Sequence, residues 1–297
     1  MGKKILAALL TAVFLLSGCS AGRSAGSSDS GTTSAAASGK SNSPDASAVS
    51  GKLKIYFFSA GKADAILLYT AGAAVLIDTG EKGFGKKIVS YLKARGIDAL
   101  DALILTHFDQ DHVGGAAKVL KRVPVKQVYQ SDCPKDSNEY ANYVDALGAA
   151  GLTPVTVRKS TALTLGKLTL SVDPPKETSY AADPSNNSSL IASAQYGKKR
   201  FLFAGDAEDA RLGEFLSEKN GAYDLLKVPY HGRWQDSLAD FISAVSPRYA
   251  VITSSDKQPE DAKTVSTLKS AGAQVFLTRK SPVLAVCDGG SLTVSRP

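Results

Sequence analysis

Residues 101–115, DALILTHFDQDHVGG, constrain the fold more tightly than any other stretch of the chain. Ala102 to Leu105 form an apolar run of strand length, and ionisable side chains begin two residues after it. His107, Asp109, Asp111 and His112 then fall within six residues, using two of the chain's three histidines. A buried strand ending in such a loop carries those side chains to a sheet edge, where two neighbouring carboxylates repel each other and lose hydration. A divalent cation removes that conflict, and imidazole with carboxylate is a suitable ligand set for one. A polar turn whose histidines cap the next helix would fit these residues taken alone.

Two remote segments bear on that choice. FLFAGDAED places Asp206 in a Gly-Asp turn just after an apolar strand, and LLKVPYHGR places His231, the last histidine, after another. Every histidine thus lies at a strand exit near Gly or Asp, which favours one shared metal site over scattered surface residues.

The remaining pattern is of strands interleaved with helices. LKIYFF, DAILLYT and AAVLID read as a meander of strands, GKKIVSYLKARGI as a helix stopped at Gly96, and GGAAKVLKRV as another helix. Strands are expected at TALTLG, KLTLSV, SLIASAQYG, RFLFAG, DLLKVPY and RYAVITS, and at the closing QVFLT, VLAVC and SLTV. Helices are expected at DARLGEFLSEKN, SLADFISAVS and AKTVSTLKSAG. Such a sequence suits two sheets packed face to face with helices outside.

The N-terminus has a separate character. Lys3 and Lys4 precede an apolar run from Ile5 to Leu16, too short to span a bilayer comfortably and built like a secretory signal peptide. LSGC, ending at Cys19, resembles the lipobox of bacterial lipoproteins, which implies lipidation of Cys19 and display on the outer face of the cytoplasmic membrane. Residues 20–51 are nearly all Ser, Ala, Gly and Thr, a composition that cannot offset its own ordering entropy and reads as a tether to a domain at 52–297. The chain carries +7, of which residues 1–50 hold a net +2, leaving +5 on the folded part. That balance favours a phosphate-bearing partner, although GKKR at 197–200 reads more simply as a solvated hairpin turn. Cys133 and Cys287 could pair in an oxidising compartment, but their separation is not legible in sequence.

The combined motifs resemble those of the metallo-β-lactamase superfamily, and within it the extracellular domain of ComEC-type DNA-uptake proteins and their stand-alone relatives. FFSAGKADAILLYTAGAAVLIDTG is similar to that group's opening segment, THFDQDHVGG to its His-x-Asp-x-Asp-His-x-Gly-Gly motif, and NNSSLIASAQYGKKRFLFAGDAE, LLKVPYHG and GAQVFLTRKSPVLAVCDGG to its later blocks. The resemblance implies an α/β fold, the four-layer αββα sandwich, with one or two divalent ions, zinc or manganese, at the sheet edges. Carried over, His107 and Asp109 would hold one ion and Asp111 with His112 a second. Asp206 would bridge them, and His231 would complete the second position. Asp78 would orient a ligand histidine, Asp64 would sit on the cleft rim, and Asp111 would also orient the attacking water.

Several residues depart from the group's pattern. Lys62 and Ala63 alter the Gly-Gln-Gly-Asp turn, Tyr230 replaces a histidine, Arg233 a serine and Gln258 another histidine. Asn186 and Asn187 stand where classical members supply a third histidine to the first ion. Three functions follow. The first is a phosphodiesterase or nuclease using a metal-activated water, with Arg233 on a phosphate. The others are a hydrolase of another ester or lactone, and a surface protein that binds metal with weakened catalysis. The expected partners are a phosphate-bearing substrate such as nucleic acid and, through the lipid, the membrane; no protein partner is indicated.

Overall fold

The computed structural model describes residues 51–218 and 221–297. The expected signal peptide, Cys19 and nearly all of the tether lie outside them. Among the described residues no helix is long and apolar enough to cross a membrane.

The first half of the domain runs β1 (Leu53–Phe57), β2 (Ile66–Tyr69), β3 (Ala74–Ile77), α1 (Gly85–Ala94), β4 (Leu100–Leu105), α2 (Gln110–Val113), α3 (Ala116–Leu120), β5 (Val125–Gln130), α4 (Asn138–Ala149) and β6 (Val155–Thr156). The second half runs β7 (Thr161–Leu165), β8 (Leu168–Asp173), α5 (Pro184–Asn187), β9 (Ile191–Tyr196), β10 (Lys199–Phe203), α6 (Asp209–Leu216), β11 (Leu225–Lys227), a 3-10 turn (Pro229–Gly232), α7 (Leu238–Val245), β12 (Tyr249–Ile252), α8 (Ala262–Ser270), β13 (Gln274–Leu277), β14 (Val283–Cys287) and β15 (Leu292–Ser295). GKKR falls in and after the turn of the β9–β10 hairpin, as its simpler reading has it.

These strands form two sheets. The first has the order β15-β14-β1-β2-β3-β4-β5-β6, and the second β13-β12-β11-β10-β9-β8-β7. Alternation along the central strands divides their side chains between two apolar layers, whereas marginal strands such as β7, β8 and β15 bury one face only. Leu53, Ile55 and Phe57 of β1, Ala102 and Ile104 of β4, and Phe201 and Phe203 of β10 enter the core between the sheets. Tyr56, Leu103 and Leu105 face outward and are covered by Ile88 and Leu92 of α1, Val119 of α3 and Tyr143 of α4. On the far side Leu202 and Ile252 are covered by Leu212 of α6 and by Phe241 and Ile242 of α7. Each large side chain so buried contributes about 1.5–3 kcal/mol, which explains why the central strands are apolar on both faces. The result is the αββα sandwich.

Besides the short α2, β6 and α5, two longer elements, β5 and α4, have no counterpart in the sequence reading. VKQVYQ alternates too weakly to announce a strand. The helix does carry a start signal, since the Ser137 side chain accepts a hydrogen bond from the Tyr140 amide.

β3, β4 and β5 are parallel neighbours in one sheet, and β10, β11 and β12 in the other. Their carboxyl ends open on the same edge of the sandwich, where α/β proteins place their sites. Asp78 follows β3, His107 follows β4, Asp206 follows β10, His231 follows β11 and Thr253 follows β12.

Candidate metal centre

The loop after β4 is held by backbone contacts before any ligand is considered. Thr79 donates from both its amide and hydroxyl to the His112 carbonyl, at 2.8 and 2.7 Å. The Asp64 amide bonds the Asp111 carbonyl, and the Gly80 amide bonds the Asp64 carbonyl, at 3.1 and 2.7 Å. The 110–115 segment approaches the 79–82 turn so closely that a Cβ on Gly114 would overlap Lys82 N, and one on Gly115 would overlap the Thr79 carbonyl. The glycine pair ending the motif is therefore a packing requirement.

Within this frame Asp111, His112, Asp206 and His231 each offer a ligand atom, all within 4.8 Å of one another. Asp206 Oδ2 lies 2.9 Å from His231 Nε2 and 3.4 Å from His112 Nε2, and Asp111 Oδ2 lies 3.4 Å from His231 Nε2. His107 sits beside them, its ring centroid 4.0 Å from that of His112.

The Nδ1 atoms fix how these rings present themselves. His231 Nδ1 lies 2.9 Å from the Thr253 carbonyl, which can only accept, so the ring donates from Nδ1 and leaves a lone pair on Nε2. His112 Nδ1 faces Asp78 Oδ2 at 2.8 Å. Thr106 gives its hydroxyl proton to Asp78 at 2.7 Å, so its oxygen is left to accept from His107 Nδ1 at 3.1 Å. All three Nε2 atoms are buried without a hydrogen-bond partner. Asp206 is near two of them but off the direction a hydrogen bond needs. Three buried, partnerless lone pairs beside two carboxylates fit a divalent cation.

Ionisation supports the same reading. Burial works against the charged forms of Asp206 and Asp111, yet the neighbouring imidazoles hold both carboxyls well below the usual range. Burial likewise opposes charge on His112 and His231, but Asp206 together with Asp78 or Asp111 overrides it and raises both imidazoles. His107, buried and next to His112, is depressed to about 4. The carboxylates therefore draw positive charge toward the Nε2 positions of His112 and His231, where a cation would compete with protons for the same lone pairs.

The backbone is strained at this point. Tyr230 and His231 are consecutive left-handed residues, at φ 46° and 51°, and Asp78 is left-handed as well. Each costs about 1–3 kcal/mol and persists only where the surroundings impose it.

Other expected residues lie differently. Asp109 does not join the cluster: its Oδ1 takes the Lys135 ammonium at 2.5 Å and the Ser185 hydroxyl, and stays 4.0 Å from His107 Nε2. Asp64 is not on the rim but 1% exposed, bonded to Lys227 Nζ at 2.5 Å and to the Thr253 hydroxyl at 2.6 Å. Asn187 is buried facing away, donating to the Ala182 carbonyl and accepting from the Arg211 amide, so it serves the helix ends. Asn186 donates to Glu208. Arg233 is half-exposed and faces Asp261 at 3.5 Å. Tyr230 lines the cleft under the Lys62 ammonium, 5.9 Å from its ring centre. Asp64, Asp78 and His112 also converge, but the first two are already bonded to Lys227 and Thr106, so this second triad is not a vacant ligand set. Cys133 and Cys287 are both free thiols.

Two lysines complete the site. Lys62 Nζ donates to Asp111 Oδ2 at 3.0 Å from the β1–β2 loop. Lys227, fully buried on β11, bonds Asp64, the Gly205 carbonyl at 2.7 Å and Asp206 at 3.4 Å. Its signal was visible as a lysine inside the apolar run DLLKVPY.

The family profile described as "Metallo-beta-lactamase superfamily" matches residues 59–254. The chain belongs to the metallo-β-lactamase superfamily. It is 34% identical over 203 residues to ComE operon protein 3 of Bacillus subtilis (strain 168), covering 60% of this chain and 25% of that protein. It is 30% identical over 210 residues to Recombination protein 2 of Haemophilus influenzae, covering 67% and 24%. The metallo-β-lactamase member thus spans about a quarter of the length of these relatives. Among solved structures it is similar to the metallo-β-lactamase fold protein YhfI of Bacillus subtilis, with a TM-score of 0.54, 12% identity, and coverage of 82% of this chain and 100% of that one. That likeness is one of fold.

Proposed function

We propose that this superfamily member is a divalent-metal-dependent phosphodiesterase, acting on nucleic acid and held outside the cytoplasmic membrane by a lipid on Cys19. The observation that carries the reading is the convergence of Asp111, His112, Asp206 and His231 around three partnerless Nε2 atoms. The ammonium groups of Lys62 and Lys135 beside them suit an anionic substrate. The names of the relatives, one a recombination protein, favour nucleic acid as that anion.

Asp111, His112, Asp206 and His231 would hold the ion, with His107 adjoining. Two imidazoles and two carboxylates suit zinc and manganese alike. A bound ion supplies Lewis acidity, lowering the pKa of water and stabilising negative charge on a phosphoryl group. Asp78 and Thr253 fix the tautomer and direction of His112 and His231. Asp111, partly exposed, would accept a hydrogen bond from the attacking water and orient it. Lys62, rather than the outlying Arg233, would donate to a phosphoryl oxygen.

A second reading, a surface protein that holds metal with little turnover, draws on Lys62 as well, because an ammonium 3.0 Å from a ligand carboxylate competes with the cation. The test is to strip the purified protein of metal, reload it with manganese or zinc, and offer bis-p-nitrophenyl phosphate, single-stranded DNA and a lactone in parallel. Phosphodiester turnover that disappears in Asp111→Ala and His112→Ala supports the hydrolase. Tight metal binding without turnover supports the second reading, and lactone turnover alone overturns the substrate class.

A further inference from the structure

A groove of about 340 Å³ opens between α1, α3 and α4, apart from the ligand cluster. Lys82, Lys86, Lys118 and Lys121 line it, against one carboxylate, Glu139, and the amide of Asn142. Among the described residues none of the four ammonium groups has an ion-pair or hydrogen-bond partner, whereas Lys62, Lys126, Lys135, Lys199 and Lys227 are all paired. The floor is made of Gly83, Gly114 and Ala117, which leave the groove open.

Its position ties it to the metal cluster. Lys82, Gly83, Lys86, Gly114 and Glu139 come from the first turns of α1 and α4 and from the segments leading into α1 and α3, at the carboxyl ends of the strands, while Lys118 lies on α3 and Lys121 just past its end, so the groove runs away from that edge. That is the edge carrying Asp78, His107 and His112. Gly114 is only two residues beyond His112, a span of at most about 7 Å. Four like charges gathered in a concavity with a single carboxylate, Glu139, among them repel one another. A chain of phosphates relieves that repulsion and follows a groove, whereas a bilayer presents a plane.

We propose that this lysine groove is a second anion site that holds the phosphate backbone of a single-stranded nucleic acid while another of its diesters lies over the metal cluster. The proposal rests on the phosphodiesterase reading for the role of the bound strand, but not for the binding itself. Four backbone contacts carry no base information, so binding is insensitive to sequence and sensitive to salt.

The experiment uses the full chain and a variant carrying Lys82→Ala, Lys86→Ala, Lys118→Ala and Lys121→Ala, each titrated with fluorescent oligodeoxythymidylate over a range of sodium chloride. Vesicles of equimolar phosphatidylglycerol and phosphatidylcholine form the second arm. Metal content of both proteins reports that the centre is intact. The expected result is at least tenfold weaker oligonucleotide binding in the variant at moderate salt. The log–log salt slope should fall by about 3, at roughly 0.7 per phosphate contact on a single strand. A variant with all four lysines changed to arginine should retain binding. Equal binding and equal slope in the alanine variant overturn the proposal, as does loss of vesicle binding with oligonucleotide binding unchanged. Turnover of bis-p-nitrophenyl phosphate by the unmodified protein scores the hydrolase reading separately: if it is absent while the alanine variant still loses the oligonucleotide, the groove stands and the catalytic reading falls.

Discussion

The joint between the two sheets at the site rests on a buried ion pair, and removing one partner gives a sharp prediction. Asp64, from the β1–β2 loop of one sheet, and Lys227, from β11 of the other, are 2.5 Å apart and at most 1% exposed. Asp64→Ala leaves the Lys227 ammonium in the interior with only the Gly205 carbonyl and the more distant Asp206. Breaking a buried pair in this way costs about 3–5 kcal/mol, and the remaining partners place this case near about 3. For a domain of this size that corresponds to a fall in Tm of about 6–12 °C. The assay is thermal unfolding in metal-free buffer, so that ligand binding does not enter. Adding Lys227→Met removes the stranded charge and should recover most of the loss, giving a coupling energy of at least about 2 kcal/mol in the double-mutant cycle. A Tm for Asp64→Ala within about 2 °C of the parent would refute the reasoning, because the charge would then be solvated by other means. The pH dependence has a definite sign. The Asp64 carboxyl lies below its ordinary 3.8 and Lys227 above its ordinary 10.5, since the attraction between them outweighs the burial that opposes charge on each. The pair's stabilisation is therefore full between those two ordinary values, declining as pH falls below 3.8 and as it rises above 10.5.

Other consequences can be checked separately. Asp78→Asn removes the carboxylate that orients His112 and should weaken zinc affinity about 10–100-fold by calorimetric titration, with little change in stoichiometry. Because the carboxylates raise the His112 and His231 pKa values, protons and metal compete, so affinity should fall steadily from pH 8 to pH 6 with measurable proton uptake on metal release. Gly114→Ala forces a Cβ into the backbone of the 79–82 turn and should lose at least about 3 kcal/mol in urea unfolding, whereas Gly148→Ala, with open space around it, should be nearly neutral or stabilising.

The sequence made some parts of this arrangement legible and hid others for physical reasons. Apolar strands buried on both faces, such as DALILT and RFLFAG, announce themselves, and so does a loop that places His107 to His112 at a strand exit. β5 stayed hidden because VKQVYQ lies near the sheet margin, where partial exposure blurs the alternation. The four ligand donors were all readable as strand-end residues. The rotation of Asp109 toward Lys135 and Ser185 was not, because neither partner lies within the motif. Asp64 was misplaced for a related reason: its partner, Lys227, is 163 positions away, and a turn of Gly, Lys and Ala before it reads as a surface loop. The lysine inside DLLKVPY signals a buried charge, but which carboxylate across the sheets it pairs with has no local signal.

Asp111 and His112 hang from one sheet, and Asp206 and His231 from the other. A cation gripped by both would act as a bolt through the sandwich, resisting any shear of one half against its mate. Loading such an ion would tighten the molecule as a whole, and proteolytic resistance measured far from the cleft would rise and fall with metal supply.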